Sequence, residues 1–272
     1  MKETARSELL ARLTEGVTTL TTSGRWRQWL DVQSRFHSYS FNNTVLILLQ
    51  RPDASRVAGF QAWRQLDRCV RRGEKGIWIL APMVYRAGDD EAPDPAPRVI
   101  RGFKPVPVFD LSQTEGRDLP EICRRLEGEV GADLFEDLSR VAAELGFAVE
   151  EAVTLPDGAN GDCSHRRRRL RVLAGNSPSQ RVKTLAHELG HAILHEEVDS
   201  RPLAELEAES VAFIVCANQG IAADRYSFGY VAAWAGGGEQ AVAAIRASGA
   251  RIQGAADRVL SVLAALDAVP AP

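Results

Sequence analysis

The chain has 272 residues, a formal net charge of −3, 45% apolar and 25% charged residues, which is typical of a folded globular protein with one large or two smaller domains. This composition excludes a disordered chain, and no segment approaches the roughly 18 consecutive apolar residues of a membrane-spanning helix. Residues 1–86 carry 14 Lys/Arg against 7 Asp/Glu, a net of +7, whereas residues 87–272 carry 19 against 29, a net of −10. This split predicts a basic module beside an acidic one, although two solvated surfaces with a chance imbalance would give the same numbers.

The N-terminal segment and the cysteines indicate a soluble cytoplasmic protein. Residues 1–16 are charged throughout and contain no apolar segment of the kind found in signal peptides. The four cysteines are far apart and form no Cys-x-x-Cys pair, which favours reduced thiols over a disulfide framework. They are Cys69, Cys123, Cys163 and Cys216.

The first half is predicted to contain helices followed by a β-hairpin. Helical spacing of apolar residues predicts four helices, over Glu3–Val17, Trp26–Phe36, Thr44–Gln50 and Gly59–Arg68. A turn at Arg71–Gly76 then leads into two strands, Ile77–Tyr85 and Arg98–Phe109. The acidic, proline-rich segment Ala87–Pro97 is expected to join them as an exposed loop.

The second half is predicted to be a separate α+β domain. The segment Asp110–Pro120 has no apolar periodicity, so we place the boundary there and expect domains at 1–116 and 117–272. The predicted elements are the helix Ala132–Leu145, the strands Phe147–Val153 and Arg167–Leu173, a helix from Pro178, and the helices Pro202–Gly220 and Glu239–Leu266. Arginines alternate with apolar residues in the second strand, which predicts an edge strand that is protected by charge or that docks an extended peptide.

The segment from His187 to His191 reads His-Glu-x-x-His within a predicted helix that Ser177 and Pro178 begin. Residues at i and i+4 share a helix face, so both imidazoles can reach one cation. Catalytic zinc commonly takes three protein ligands and leaves a position for water, and Glu188 beside that water could accept its proton. Two ordinary helical histidines beside a surface carboxylate would share this pattern, but unliganded imidazoles would be costly on so apolar a helix.

A third ligand must come from another segment. Glu205 and Glu209 lie one turn apart on one face of the next predicted helix, whereas Glu207 is expected to point away. Either Glu205 or Glu209 could bind the metal while the other orients a histidine, unless this face is merely solvated. His195 lies one turn beyond His191, where we expect it to cap the helix or to support a ligand.

The metal-motif region resembles a known peptidase group. The stretches TLAHELGHAILH (184–195) and ELEAESVAFIVC (205–216) resemble the ImmA/IrrE-type peptidases and the peptidase half of ArdC-type antirestriction proteins. The resemblance implies a small zincin-like domain with a mixed sheet, Zn²⁺ as cofactor, and Glu205 as the third ligand, with Glu209 matching the acidic position one turn later. Residues 226–230 and Trp234 are similar to the aromatic segment that follows in ArdC-type chains.

The first half resembles the N-terminal domain of ArdC-type proteins, which is associated with single-stranded DNA binding. The similar segments are Tyr39–Asn43, Leu46–Gln50, Val57–Phe60 with Trp63, Gly73–Ile77, Val108–Asp110 and Gln113–Gly116. One departure is Leu66–Cys69, which stands where the family often has a turn containing glycine.

Arginines interleaved with aromatic residues also fit single-stranded DNA, because such proteins combine cationic grooves with stacking platforms. The predicted DNA contacts are Tyr39, Asn42, Asn43, Gln50, Arg71, Arg72 and Lys75. The alternative is that the aromatic residues form the core, which we expect of Trp29, Phe60 and Trp63.

The sequence thus predicts a zinc metalloendopeptidase coupled to a single-stranded-DNA-binding domain, which cleaves DNA-associated or regulatory proteins. One alternative is an antirestriction protein that protects DNA without proteolysis and uses zinc structurally. A second is a repressor protease of the ImmA kind, which would need a helix-turn-helix partner. The sequence does not predict an oligomeric state.

Overall fold

The computed structural model describes residues 2–86, 98–118, 130–221 and 238–267. It divides into two compact units, the first formed by Met1–Val17 with Asn42–Leu119 and the second by Thr18–Phe41 with Pro120–Pro272. The segment Thr18–Phe41 therefore packs in the second unit, although the expected domain boundary placed it in the first. The predicted α+β class is confirmed. No helix among the described residues is long and apolar enough to cross a membrane.

The first unit combines helices with two small antiparallel sheets. Its helices are α1 (Lys2–Thr19, of which the unit includes the part to Val17), α3 (Phe41–Gln50, from Asn42) and α4 (Phe60–Gln65). Its strands are β1 (Val57–Ala58), β2 (Arg68–Val70), β3 (Ile77–Arg86), β4 (Arg98–Asp110) and β5 (Thr114–Gly116). The sheets have the orders β1-β4-β3 and β2-β5, and a 3₁₀ turn at Leu111–Gln113 joins β4 to β5. The predicted hairpin is present as β3 and β4, and the predicted loop Ala87–Pro97 lies outside the described residues.

The helix predicted over Gly59–Arg68 is too long. Helix α4 ends at Gln65, because Asp67 adopts a left-handed conformation with φ of 56° and the chain then continues as β2. The guanidinium of Arg68 donates to the hydroxyl of Thr114 at 2.8 Å, which links β2 to β5. A Cβ on Gly116 would lie 2.3 Å from the carbonyl oxygen of Asp67, so this close crossing requires glycine.

The second unit places helices against a three-stranded mixed sheet. Its helices are α2 (Ser23–Arg35), α5 (Val130–Glu144), α6 (Pro178–Leu194), α7 (Arg201–Asn218) and α8 (Gly238–Asp267). Its strands are β6 (Ala148–Ala152), β7 (Gly161–Ser164) and β8 (Arg169–Leu173). The order is β6-β8-β7, with β6 parallel and β7 antiparallel to β8.

The prediction that the arginine-rich strand forms an edge is wrong. Strand β8 is central, and β6 and the unpredicted strand β7 form the two edges. Arg169 pairs with Glu150 at 3.2 Å on one neighbouring strand, and Arg171 pairs with Asp162 on the other. Arg168 donates to the backbone carbonyls that end α5. These cations therefore tie the sheet together rather than protecting a free edge.

Close packing fixes α7 against α6. A Cβ on Gly190 would lie 2.9 Å from the Cα of Ala208, so glycine lets the two backbones approach. Helix α2 holds α7 from another side, where the indole of Trp26 donates to the buried hydroxyl of Ser210 at 3.1 Å. This arrangement holds the acidic residues of α7 beside the histidines of α6.

Candidate metal centre

Helix α6 presents two imidazoles on one face. The hydroxyl of Ser177 accepts from the backbone N–H of Gln180, and Pro178 occupies the first turn, so the helix begins as predicted. Its spacing places His187 and His191 on successive turns, and their Nε2 atoms lie 3.0 Å apart. Both nitrogens can therefore share one ion.

Glu205 brings a carboxylate to the same point from the start of α7. Its Oε2 lies 3.4 Å from Nε2 of His187 and 3.7 Å from Nε2 of His191. A tetrahedral ion with bonds of about 2.0–2.1 Å has ligand-to-ligand distances of about 3.3 Å, so these spacings fit one small divalent cation. Across the described residues, this trio is the group of histidine, cysteine and acidic side chains that could hold a metal ion.

Glu209 lies behind His187 rather than at the shared point. Its Oε2 is 3.2 Å from Nδ1 of His187, and its Oε1 is 3.0 Å from the ammonium of Lys183. A carboxylate on the outer nitrogen of a liganding histidine fixes the ring and its tautomer. The geometry thus gives Glu205 and Glu209 the two different positions that the sequence left open.

His191 also has a partner on its outer nitrogen, and that partner is His195. The two Nδ1 atoms lie 3.0 Å apart, and Nε2 of His195 lies 3.1 Å from Oε2 of Glu207. Glu207, only 1% exposed, also accepts from the guanidinium of Arg251 on α8. His195 is the C-cap residue of α6, as expected. Glu207 was expected to point away from the face of Glu205 and Glu209. It does face away from the two Nε2 atoms, but it contacts the site through His195. No sequence signal marks Arg251, because its link to this group exists only after α8 has packed on α7.

Glu188 lies beside the trio and faces a cleft of about 270 Å³ between α6 and the chain entering β7. Its side chain is buried, and a Cβ on Gly161 would lie 2.7 Å from its Oε1. The cleft is lined by Asn160, Gly161, Gln180, Thr184, Glu188 and neighbouring residues of the site. A glycine on the edge strand therefore leaves space in front of this carboxylate.

Burial and neighbouring charges shift the pKa values of the groups in this site. Burial raises the pKa of Glu188 to about 7, a range suited to a proton acceptor. Burial opposes the charge of His187, but the carboxylates of Glu205 and Glu209 outweigh it and raise the pKa of His187 to about 9. The two imidazoles hold the pKa of Glu205 well below its usual range, and burial lowers the pKa of His191. Glu205 and His191 thus already have the protonation states that metal ligation requires, whereas a cation would have to displace a proton from His187.

In the first unit, two predicted DNA contacts are engaged elsewhere. The amide of Asn43 exchanges two hydrogen bonds with the backbone of Leu80, at 3.1 and 2.9 Å. The amide of Gln50 does the same with the backbone of Trp78, at 2.9 Å each. Both side chains thus join α3 to the outer edge of β3. This role differs from the predicted one, since the backbone groups on the unpaired edge of β3 need hydrogen-bond partners.

The other predicted DNA contacts are divided between the two units. Arg71 bonds to Glu74 at 3.0 Å and to the backbone of Ser112, so its guanidinium closes the turn before β3. Arg72 and Lys75 are exposed in the same turn, and Asn42 is half-buried at the start of α3. Tyr39 is half-buried in the second unit, where its ring meets Phe36 edge-on at 6.0 Å. Of these five residues, three share the turn before β3, one lies on α3 and one lies in the second unit.

Most aromatic residues of the first 63 positions are core. Trp26, Trp29, Phe36, Phe41 and Trp63 are buried. Phe60, which was also expected in the core, is 47% exposed as the first residue of α4.

The β3–β4 hairpin carries exposed aromatic residues that the sequence reasoning missed. Trp78, Tyr85 and Phe103 are each nearly half exposed, and the guanidinium of Arg101 lies 5.6 Å from the ring centre of Tyr85. Residues 77–86 and 98–109 contain four Lys/Arg and no acidic residue, a signal that was readable in the sequence. The hairpin thus offers flat apolar surfaces beside positive charge.

The fold and this geometry define an α+β protein with a candidate His-Glu-x-x-His metal centre. Comparisons with known families identify similarities for both halves of the chain. Residues 1–109 match the family model of the N-terminal domain of anti-restriction factor ArdC. Residues 142–223 match the IrrE N-terminal-like domain of peptidase family M78. The chain therefore combines a segment similar to the ArdC N-terminal domain with a segment similar to the IrrE N-terminal-like domain, which confirms the predicted resemblance. Residues 226–230 and Trp234, which also entered that resemblance, lie outside the described residues.

Individual relatives are distant. An uncharacterized protein of Bacillus anthracis is 25% identical over an alignment covering 76% of this chain, and this chain spans 42% of that relative's length. The metal-free crystal structure of the antirestriction protein ArdC from plasmid R388 is 21% identical, with a TM-score of 0.50, covering 84% of this chain and 86% of that one. The Mn(II)-bound structure of the same ArdC protein is 20% identical, with a TM-score of 0.49, covering 87% of this chain and 98% of that one.

Proposed function

We propose that the protein is a metal-dependent endopeptidase, with zinc as the expected metal, joined to a domain that binds single-stranded DNA. Its substrates would be DNA-associated or regulatory proteins. The observation that supports the peptidase most is the convergence of three donor atoms within 3.7 Å of one another, with the buried Glu188 beside them at a cleft. The match of residues 142–223 to a peptidase family agrees with this proposal.

Each residue of the site has a role in peptide hydrolysis. His187, His191 and Glu205 would hold the cation, which when bound supplies Lewis acidity and lowers the pKa of water. Glu188 accepts the proton of the attacking water while the water oxygen bonds to the carbonyl carbon. The same carboxyl then donates that proton to the amide nitrogen as the C–N bond breaks. Glu209 and Lys183 keep Nε2 of His187 directed inward.

The edge strand β7 suggests how a substrate would bind. Its neighbour on one side is β8, and Gly161 at its start lines the cleft in front of Glu188. An extended peptide that pairs with β7 would add a strand to the sheet and pass the carboxylate. This role, expected of the arginine-rich strand in the sequence, belongs to β7 in the proposal because β8 is central.

Support for DNA binding comes from the first unit. Its match to the ArdC N-terminal domain agrees with the hairpin surface, where Trp78, Tyr85 and Phe103 are exposed on two segments, 77–86 and 98–109, that contain no acidic residue. Bases stack on exposed aromatic rings, and nearby Arg101 and Lys104 would neutralise phosphates. We therefore place the DNA contact on this hairpin, with Arg72 and Lys75 as further cations.

Glu188→Gln tests the peptidase. The variant should retain cobalt or zinc binding and lose cleavage of casein, assayed with and without oligo-dT, by about 10²- to 10⁴-fold, since it removes general acid–base catalysis. Glu196→Gln, which alters an exposed carboxylate just beyond α6, should cleave at the wild-type rate. Full cleavage by the Glu188 variant would overturn the proposed role of this carboxylate.

Trp78→Ala with Phe103→Ala tests the DNA surface. The double variant should bind oligo-dT at least about 10-fold more weakly, because each stacked base contributes about 1–3 kcal/mol. Phe60→Ala is the matched control, since this aromatic is equally exposed and lies outside the hairpin. An equal loss with Phe60→Ala, or no loss with the double variant, would place the DNA contact elsewhere.

A second candidate function is antirestriction without proteolysis, in which the metal is structural. The family match of residues 1–109 to the ArdC N-terminal domain favours it, because that match concerns the DNA-binding half alone. In this function Glu188→Gln would still protect DNA from a restriction enzyme, whereas Arg101→Glu with Lys104→Glu would not. Protection that requires Glu188 would instead favour the peptidase.

A further inference from the structure

A line of polar side chains leads away from His191 to the last helix of the chain. Nδ1 of His191 lies 3.0 Å from Nδ1 of His195, and Nε2 of His195 lies 3.1 Å from Oε2 of Glu207. The other oxygen of Glu207 accepts from Nε of Arg251 at 3.2 Å and from its Nη2. We call these three residues, His195, Glu207 and Arg251, the α8 relay.

Burial makes this relay unlike a surface ion pair. The side chains of His195 and Glu207 are 7% and 1% exposed, so an unpartnered carboxylate there would be strongly unfavourable. Arg251, about half exposed, supplies the compensating charge from α8. Helix α7 thus carries a buried charge whose hydrogen bonds lead toward the cation site.

The hydrogen bonds of the relay fix where each proton lies. Arg251 can only donate, so Glu207 is an ionised acceptor and requires a proton on Nε2 of His195. With its proton on Nε2, His195 presents Nδ1 as an acceptor, so the contact between the two Nδ1 atoms needs the proton of His191 on Nδ1. His191 is left with a free lone pair on Nε2, the atom that faces His187 and Glu205.

We propose that Glu207 and Arg251 are positioning residues that set the affinity of the metal centre by holding His191 in its Nε2-ligating tautomer. This inference rests on the metal site of the proposed function. The branch behind His187 runs through Glu209 to Lys183, on α7 and α6, whereas the branch behind His191 reaches α8. Metal affinity is therefore coupled to the packing of the C-terminal helix.

Glu207→Gln is the decisive variant, because it replaces the acceptor that faces His195 with a donor while keeping the size and shape of the side chain. Its amide oxygen would stay with Arg251, so its NH₂ would face His195 and force a proton onto Nδ1 of that ring. His191 would then have to accept at Nδ1 and carry its proton on Nε2, where the proton competes with the cation. We expect the affinity for Co²⁺, measured by chelator competition, to fall by about 10- to 100-fold.

Two controls isolate the relay from general damage to the fold. Ser210→Ala removes another buried hydrogen-bonding group of α7, outside the relay, and should leave Co²⁺ affinity unchanged. Arg251→Leu should weaken Co²⁺ binding in the same direction as Glu207→Gln, and Arg251→Lys should restore most of it. Because Arg251 is half exposed, its variants keep the inference testable if Glu207→Gln does not fold.

Ring ¹⁵N chemical shifts of the histidines provide a readout that a merely structural role would not change. The wild type should show His195 protonated on Nε2 and Glu207→Gln should show it protonated on Nδ1. Wild-type Co²⁺ affinity in a folded Glu207→Gln variant, or an Nδ1-protonated His195 in the wild type, would overturn the relay alone. A wild-type protein that binds no Co²⁺ would overturn the proposed metal site and the relay's effect on it together.

Discussion

Helices α3 and α6 each carry polar side chains on one face, yet the two faces do different things. In α3, Asn43 and Gln50 are seven residues apart and both end on the backbone of β3. In α6, His187 and His191 are four residues apart and converge with Glu205 of another helix. The amides complete hydrogen bonds of the fold, whereas the imidazoles leave nitrogens facing one another, an arrangement that a cation would stabilise.

The difference lies in what meets each face. A strand edge offers N–H and C=O groups, and an amide, with one donor and one acceptor group, satisfies both. A carboxylate beside two imidazole nitrogens instead forms a set of acceptors that suits a cation. Polar residues at helical spacing therefore indicate that they share a helix face. Whether they stabilise the fold or form a binding site depends on the groups that pack against that face.

The largest expected effect is on metal binding. His191→Ala removes a ligand and should lower Co²⁺ affinity by more than about 100-fold, beyond the effect of losing an orienting residue. Thermal unfolding of the metal-free protein should show a loss of only about 1–3 kcal/mol, the cost of leaving the buried His195 without its partner on Nδ1. Calorimetry and chelator competition measure the two effects. A loss of stability without a loss of Co²⁺ affinity would show that His191, like the amides of α3, only stabilises the fold.

A smaller effect is expected in α3, and it should appear as stability. Asn43→Ala leaves both polar groups of Leu80 without their side-chain partner and should reduce the free energy of unfolding by about 1–3 kcal/mol in urea titrations. Asn42→Ala, at the neighbouring position, is the matched control and should leave stability unchanged. If Asn43→Ala instead weakened oligo-dT binding at constant stability, the predicted DNA contact at Asn43 would be correct.

The smallest effect concerns the carboxylate of Asp110, which accepts hydrogen bonds from neighbouring residues of the first unit. Burial opposes the charge of Asp110, but the hydroxyl of Ser112 and the backbone N–H groups of Arg56, Ser112 and Ser55 outweigh it and hold its pKa below the ordinary value of 3.8. A depressed folded pKa stabilises the fold at pH values above the unfolded pKa, and this contribution is lost as the pH falls through the folded one.

Asp110→Asn should therefore be less stable than the wild type at neutral pH, by on the order of 1 kcal/mol. The difference should shrink below about pH 4, where the unfolded carboxyl is protonated. Urea titrations of both proteins at several pH values measure this difference. A gap that is independent of pH would show that the charge of Asp110 contributes nothing.

Much of the fold follows from local signals in the sequence. The helix ending in the metal motif was predictable because Ser177 and Pro178 begin it and apolar residues recur at helical spacing. The strands β1, β2, β5 and β7 were not predicted, since segments of two to four residues have too little periodicity to read. The end of α4 was missed because the left-handed Asp67 is stabilised by its crossing with Gly116, which is distant in the sequence.

The sequence by itself determined that His187, Glu188 and His191 share a helix and that two domain types follow one another, because helical spacing and family motifs are local properties. Only the tertiary structure decided which carboxylate faces the imidazoles, that the amides of α3 are bonded to β3, and that Arg251 reaches Glu207. These outcomes depend on which surfaces of distant segments meet when the apolar core forms, and a one-dimensional pattern specifies the faces but not their partners.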